Sequence, residues 1–170
     1  MNELRDKADA GELIQYIIIK IDDEQYGINI KYIDNIVRMQ QITRVPKVDD
    51  YLKGVINIRG EIVPVMSVRK KMGLAEDEIT GKTRIIILKT GEGDLVGIIV
   101  DQVNQVLTLD SNNVEKVRYD DKKGETEASF VNGVGHYDGG LVSILDLDAV
   151  VSEKDAKEKA QRLRMKILLL

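Results

Sequence analysis

The chain has 170 residues and a formal net charge of −4, with no cysteine, no tryptophan and a single histidine. This composition argues against a disulfide-rich scaffold, a cysteine nucleophile and a four-ligand structural zinc site. The acidic balance argues against a nucleic-acid binder that depends on phosphate contacts. Isoleucine and valine supply 39 of the 170 residues. Because β-branched side chains favour pleated sheets, the composition predicts a mainly β protein.

The N-terminal residues 1–12 are polar and charged and contain no apolar run typical of a signal peptide, and we expect them to be disordered. The longest apolar runs fall far short of the roughly 20 residues that a membrane-spanning helix needs. We therefore expect a soluble, cytoplasmic protein without direct membrane insertion.

Charged and glycine-containing turns divide the first half into short strands. Residues 15–21 and 26–30 flank a charged turn and should form a hairpin. The apolar residues from 30 to 37 have helical spacing, but they fit a tight turn followed by a strand equally well.

A second hairpin is predicted at residues 54–58 and 62–68, joined by a turn that contains Arg59. Asp49 and Gly54 are placed to begin and end a short helix before it. A polar loop follows at residues 73–82.

The pattern then repeats. Gly27 recurs as Gly97, 70 residues later, and the apolar positions that follow match; Gly54 recurs as Gly133, 79 residues later. The unequal spacing places an insertion in the charged stretch 119–129. Each half then holds about five short strands, which favours two small β-barrels sharing apolar surface, at 13–80 and 81–151. Residues 152–170 predict an amphipathic C-terminal helix, which packs on the barrels or meets a partner or membrane surface.

No motif predicts catalysis. The Gly-Lys-Thr at 81–83 precedes a strand and lacks the first glycine of a phosphate loop. His136 has no catalytic partner in the sequence, and Asp146 and Asp148 alternate on a predicted strand as solvent-facing carboxylates. Asp101 follows an apolar strand and is expected to cap the next turn. Elimination leaves a protein-binding module without metal, cofactor or enzymatic activity; the alternative is a non-catalytic barrel that binds a small ligand.

Residues 51–65, with the core Gly-Val-Ile-Asn-Ile-Arg-Gly at 54–60, strongly resemble the central signature of the chemotaxis coupling protein family, CheW. Residues 26–36 and 96–106 also resemble the family, and the likeness covers 13–151. It implies a CheW-like domain of two SH3-like five-stranded β-barrels in tandem. It also implies a non-catalytic adaptor that couples transmembrane chemoreceptors (methyl-accepting chemotaxis proteins) to the regulatory domain of the histidine kinase CheA. The adaptor would be a monomer in isolation and part of receptor arrays in complex.

The resemblance and the repeat together suggest two binding surfaces. The cytoplasmic tip of the receptor would lie in the groove between the barrels, although Ile36 and Val106 fit a core position equally well. The groove residues are Ile33, Ile36, Arg59, Val103 and Val106. The kinase would dock on one end of the first barrel, where apolar residues flank Pro46. The residues predicted there are Met39, Ile42, Val45 and Tyr51.

Overall fold

The computed structural model describes residues 11–91, 93–117 and 130–151. Eleven strands make up almost all of its regular structure: β1 (Leu13–Ile21), β2 (Glu24–Asn29), β3 (Ile33–Arg38), β4 (Leu52–Ile58), β5 (Glu61–Ser67), β6 (Arg84–Lys89), β7 (Leu95–Val100), β8 (Gln102–Asp110), β9 (Val114–Lys116), β10 (Val131–Tyr137) and β11 (Gly140–Leu145). Within the described residues the helices are single turns: 3-10 turns at Ile30–Tyr32 and Ser111–Asn113, and α-helical turns at Val68–Lys71 and Leu147–Val150. The predicted mainly β class is confirmed.

The strands form two sheets. Sheet A has the order β8-β1-β2-β11-β10-β9, and sheet B has the order β3-β6-β7-β5-β4. Among the described residues no ladder joins the first strand of either sheet to its last, so the barrels are not closed. Each sheet also contains strands from both sides of the predicted boundary at residue 80. The β1–β2 hairpin of the first half lies in sheet A with strands of the second half, and the β6–β7 hairpin of the second half lies in sheet B with strands of the first half.

The sheet order nevertheless confirms the repeat. In each sheet a hairpin pairs in parallel with a strand from the other half. Val65 of β5 lies opposite Gly97 of β7, and Ile144 of β11 lies opposite Gly27 of β2. These pairs follow the 70- and 79-residue offsets read from the sequence. The two halves therefore have the same internal plan, with their first hairpins exchanged.

Both faces of the central hairpins are buried, which explains their continuous apolar runs. One face of β1 and β6 contributes Ile17, Ile19, Ile86 and Leu88 to a core cluster that draws residues from both sheets. The other face of β6 lies in the core of sheet B, and the other face of β1 lies in the core of sheet A. The predicted sharing of apolar surface between the two halves is thus observed as one shared core.

Two local predictions were wrong. Residues 49–54 do not form a helix: the Leu52 amide donates to the Asp49 carbonyl in a turn, and β4 begins at Leu52. Gly54 has φ +141° within β4, where its missing Cβ lets the Thr43 carbonyl approach.

Asp146 and Asp148 do not alternate on a strand. The Asp146 carboxylate instead caps the turn Leu147–Val150 by accepting hydrogen bonds from the amides of Asp148 and Ala149. Of the stretch 1–12 that was predicted to be disordered, residues 1–10 lie outside the described residues, as do the insertion at 119–129 and the helix at 152–170. Glu12 is described, and it exchanges hydrogen bonds with Ser111. Among the described residues, no helix is long and apolar enough to cross a membrane.

Candidate partner-binding seam

The shared core reaches the surface along two edge strands, β3 and β8. In sheet B, Ile33 lies opposite Leu88 and Ile36 opposite Ile86. Paired residues of neighbouring strands project from the same face, and both partners belong to the shared core. The structure therefore places Ile33 and Ile36 at the border of that core.

The equivalent strand of sheet A behaves in the same way. Val103 lies opposite Ile19 and Val106 opposite Ile17, and both isoleucines belong to the shared core. We call the four residues Ile33, Ile36, Val103 and Val106 the seam. Ile33, Ile36 and Val103 are half-buried, whereas the side chain of Val106 is 51% exposed. These exposures leave apolar surface for a partner without removing the residues from the fold.

Arg59 stands at the tip of the β4–β5 hairpin. Arg59 and Gly60 form a two-residue turn with φ of +51° and +82°, the left-handed pair that tight hairpins favour. The Asn57 side chain supports this turn by accepting a hydrogen bond from the Gly60 amide at 2.9 Å.

The Arg59 side chain is 74% exposed and lies against β3. Its Nη2 atom is 3.3 Å from Oδ2 of Asp34, the residue that follows Ile33. Asp34 was not predicted as a site residue. Its contact places an exposed guanidinium beside the sheet B side of the seam.

The predicted kinase-binding residues are distributed over three environments. Met39 and Ile42 are half-buried against the core of sheet B. Val45 is buried against Val55. Tyr51 borders the shared core, and its ring lies 4.3 Å from the Lys71 ammonium. Met39, Ile42 and Tyr51 keep accessible surface, while Val45 serves the fold.

Sequence reasoning did not foresee an ion-pair cluster near the seam. The Asp101 carboxylate does not cap the turn that follows it. It accepts two hydrogen bonds from Nε of Arg69, at 2.9 and 3.1 Å, one from Nη2 at 2.6 Å and one from the Asp22 amide at 2.8 Å. The hydrogen bond with Asp101 is the main cause that raises the pKa of Arg69. The only sequence signal was an acidic residue directly after an apolar strand.

A second polar group surrounds the loop after the Val68–Lys71 turn. Glu76 contacts Lys53 and Lys70, and their hydrogen bonds lower the pKa of Glu76. Both carboxylate oxygens of neighbouring Asp77 are buried and make no well-formed hydrogen bond with the described residues. Burial raises the pKa of Asp77, and the nearby Ser67 hydroxyl partly opposes that rise. The two contacts of Glu76 tie the loop to the sheet B side.

The described residues offer no metal-binding group of three or more His, Asp or Glu side chains. His136 lies on β10, and its Nε2 is 3.4 Å from Oε1 of Glu115. The accessible features described here are the apolar seam residues along β3 and β8 and the exposed Arg59 beside β3.

Comparison with known proteins identifies this arrangement. Residues 15–155 match the model of the CheW-like domain. The chemotaxis protein CheW of Bacillus subtilis is 34% identical over 141 residues, covering 83% of this chain and 88% of the relative. CheW of Thermotoga maritima is 32% identical over 151 residues, covering 89% of this chain and 96% of the relative.

A solved structure has the same fold. The crystal structure of the scaffolding protein TtCheW from Thermoanaerobacter tengcongensis superposes with a TM-score of 0.70 at 28% identity, covering 79% of this chain and 89% of that one. These relatives agree with the predicted adaptor and not with the small-ligand alternative. The chain belongs to the CheW-like family and, like its relatives named CheW, is a non-catalytic chemotaxis adaptor.

Proposed function

We propose that this chain couples chemoreceptors to the histidine kinase CheA, binding the cytoplasmic tip of the receptor along the seam and the regulatory domain of the kinase at the end of sheet B. The observation that carries the proposal is the exposure of the shared core along β3 and β8, beside Arg59. We further propose that the protein acts in the cytoplasm, as a monomer when alone and within receptor arrays when bound.

An amphipathic helical hairpin fits the seam for two reasons. Such a helix presents apolar side chains at intervals of three and four residues, which match an apolar strip better than a polar surface. The exposed Arg59 guanidinium can pair with a carboxylate at the rim of the interface, where charges set orientation and association rate. Its partner Asp34 keeps the guanidinium beside β3.

The substitution Arg59→Glu tests the receptor surface. Because the Arg59–Asp34 pair is exposed, its loss should cost at most about 1 kcal/mol of stability. Reversing the charge should nevertheless weaken co-sedimentation with a receptor signalling fragment by at least about tenfold. Lys116→Glu, a charge reversal at an exposed position on β9, is the matched control and should bind like the wild type.

The apolar part of the seam needs a separate variant. Val106→Asp and Leu141→Asp each place a carboxylate at an apolar side chain that is 51% or 63% exposed, respectively. Val106 lies opposite Ile17 of the shared core, whereas Leu141 lies opposite His136 of β10, so only Val106→Asp should reduce receptor binding. Wild-type binding by both Val106→Asp and Arg59→Glu would refute the seam as the receptor site.

The kinase surface is proposed at Met39, Ile42, Val45 and Tyr51. A standard interface of about 1,600 Å² would bury the accessible parts of three of them together with their polar surroundings. Val45 would contribute indirectly, since it packs against Val55 and supports the segment that carries Ile42.

Met39→Lys and Ile42→Lys test this surface by pull-down with the kinase regulatory domain. Both should abolish detectable kinase binding and leave receptor binding intact. Ile79→Lys changes an exposed isoleucine in the loop after the Val68–Lys71 turn and is the control for added charge. Kinase binding that survives in both variants, with cooperative unfolding retained, would contradict the assignment.

A further inference from the structure

The chain crosses from sheet B to sheet A at a single residue. Strand β7 of sheet B ends at Val100 and β8 of sheet A begins at Gln102, so Asp101 alone connects them. The equivalent crossing in the first half, from β2 to β3, takes the three residues Ile30–Tyr32. Each crossing leads directly into a strand of the seam. The position of these strands therefore depends on how the crossings are held.

The crossing at Asp101 is held by a two-point ion pair. Both carboxylate oxygens of Asp101 contact the Arg69 guanidinium, and the pair is largely buried, with 15% of the Arg69 side chain and 20% of the Asp101 side chain exposed. Arg69 belongs to the turn that continues from β5 of sheet B. Bidentate pairs of this kind fix direction as well as distance. Arg69 therefore connects the end of sheet B to the crossing residue.

The same carboxylate also reaches sheet A. Its Oδ2 accepts a hydrogen bond from the amide of Asp22, in the turn between β1 and β2, at 2.8 Å. The Asp101 amide donates to the Lys20 carbonyl at 3.0 Å, and Nη2 of Arg69 lies 3.7 Å from Oδ1 of Asp22. Arg69, Asp101 and Asp22 thus join both sheets at one point; we call them the clamp.

The other crossing is built differently. Lys31 occupies the position equivalent to Asp101 in the repeat, and its ammonium lies 4.9 Å from the exposed ring of Tyr32. The residues of this 3-10 turn include no buried side chain. Of the two crossings, the one at Asp101 is therefore the one fixed by a largely buried ion pair.

We propose that Arg69 is a positioning residue: through the clamp it sets the placement of β8 relative to β3, and with it the spacing of the receptor-binding seam. Val103, the first seam residue of β8, lies two positions after Asp101. Displacement of the crossing is transmitted directly to Val103. This inference rests on the proposed function for its consequence in binding, but the geometry of the clamp can be tested without a receptor.

The geometric test is a distance measurement across the two sheets. The chain has no cysteine, so Lys89→Cys on β6 and Gln105→Cys on β8, both exposed positions, can be spin-labelled as the sole pair. Arg69→Gln should displace or broaden the distance distribution between the labels. Lys70→Gln is the matched control, because the Lys70 ion pair with Glu76 stays within the sheet B side. An unchanged distribution in folded Arg69→Gln would overturn the proposal.

The binding test uses the same variants without labels. Arg69→Gln should lower the affinity for a receptor signalling fragment by about tenfold, and Lys70→Gln should not. Asp101→Asn should produce a similar loss, and the double variant should lose less than the product of the two single effects, because both act on one contact. Wild-type affinity in Arg69→Gln and Asp101→Asn would also overturn the positioning role.

A second variant covers the case in which Arg69→Gln does not fold. Arg69→Lys keeps the charge but loses the two-point contact, and the same displacement of the label distances is expected. If the wild-type chain does not bind the receptor fragment, the proposed function fails, while the distance measurement still supports or overturns the clamp.

Discussion

Gly97 provides a quantitative test of how tightly the central hairpin of sheet B is packed. It lies in β7, opposite Ile87 of β6 and Val65 of β5. A Cβ atom at Gly97 would stand 2.9 Å from Cγ2 of Ile85, 3.3 Å from Cγ2 of Val65 and 3.4 Å from Cδ1 of Ile87. The first distance is shorter than carbon atoms tolerate, and Cγ2 of a β-branched residue cannot move away without a rotamer change. Gly97→Ala should therefore overpack the core of sheet B.

The expected cost follows from two opposing terms. Overpacking a well-packed core costs about 1–3 kcal/mol, and replacing glycine restricts the unfolded chain, which returns about 0.4–1 kcal/mol. At the midpoints of these two ranges the net expectation is a loss of about 1.3 kcal/mol, or a fall in Tm of roughly 3–5 °C for a chain of this length. Urea unfolding followed by circular dichroism measures the free energy of unfolding directly.

The repeat supplies the matched control. Gly27 is the equivalent residue of sheet A, but a Cβ there would meet Cδ1 of Ile144 at 3.2 Å and two further atoms at 3.5 Å. Because Cδ1 is the far end of a flexible side chain, Gly27→Ala should change the free energy of unfolding by less than about 0.5 kcal/mol. Equal effects in the two variants, or a more stable Gly97→Ala, would refute the packing described for sheet B.

Three further substitutions test local features. Burial raises the pKa of Asp77, so the stability of the wild type falls as the pH rises from the ordinary pKa of an aspartate through the raised pKa. Asp77→Asn should therefore be about 1 kcal/mol more stable than wild type at pH 7, and this gain should disappear in acid. Thermal unfolding across pH measures the difference. A more stable wild type at pH 7 would contradict this. Gly54 has φ +141°, and a Cβ atom there would overlap the Thr43 carbonyl. Gly54→Ala should therefore lower the free energy of unfolding by at least about 2 kcal/mol in urea. An unchanged free energy of unfolding would contradict this position of Gly54 in β4. Asn57→Ala removes the side chain that accepts a hydrogen bond from the Gly60 amide. The variant should lose about 1 kcal/mol of stability, and the amide resonances of the hairpin tip should broaden. Sharp, unshifted resonances would argue against a supporting role of Asn57.

The sequence predicted those parts of the fold that depend on neighbours along the chain. The hairpins at residues 15–30 and 54–68 were recognisable because short apolar runs flank charged or glycine-containing turns. The equivalent positions of Ile33 and Val103 at the border of the shared core were also predictable, because the repeat aligns these two residues, whereas their role in binding stays a prediction.

What the sequence could not predict depends on distant pairing or on alternative uses of one residue type. The exchange of hairpins between the halves joins β1 to β8, some ninety residues away, and both possible partners offer the same apolar pattern. Gly54 was misread because a glycine that ends a helix and a glycine with positive φ in a strand look alike in sequence. Arg69 and Asp101 are 32 residues apart, and neither carries a signal that names the other.

The most direct test of the central claim is reconstitution of the three-component complex. Receptor-containing membranes, CheA and this chain are mixed, and the kinase that sediments with the membranes is measured with and without the chain. Kinase should sediment above background only when the chain is present. Arg59→Glu should strongly reduce this increase and Ile42→Lys should abolish it, because they break opposite contacts. Kinase recruitment that does not depend on the chain, or that survives both substitutions, would contradict the account.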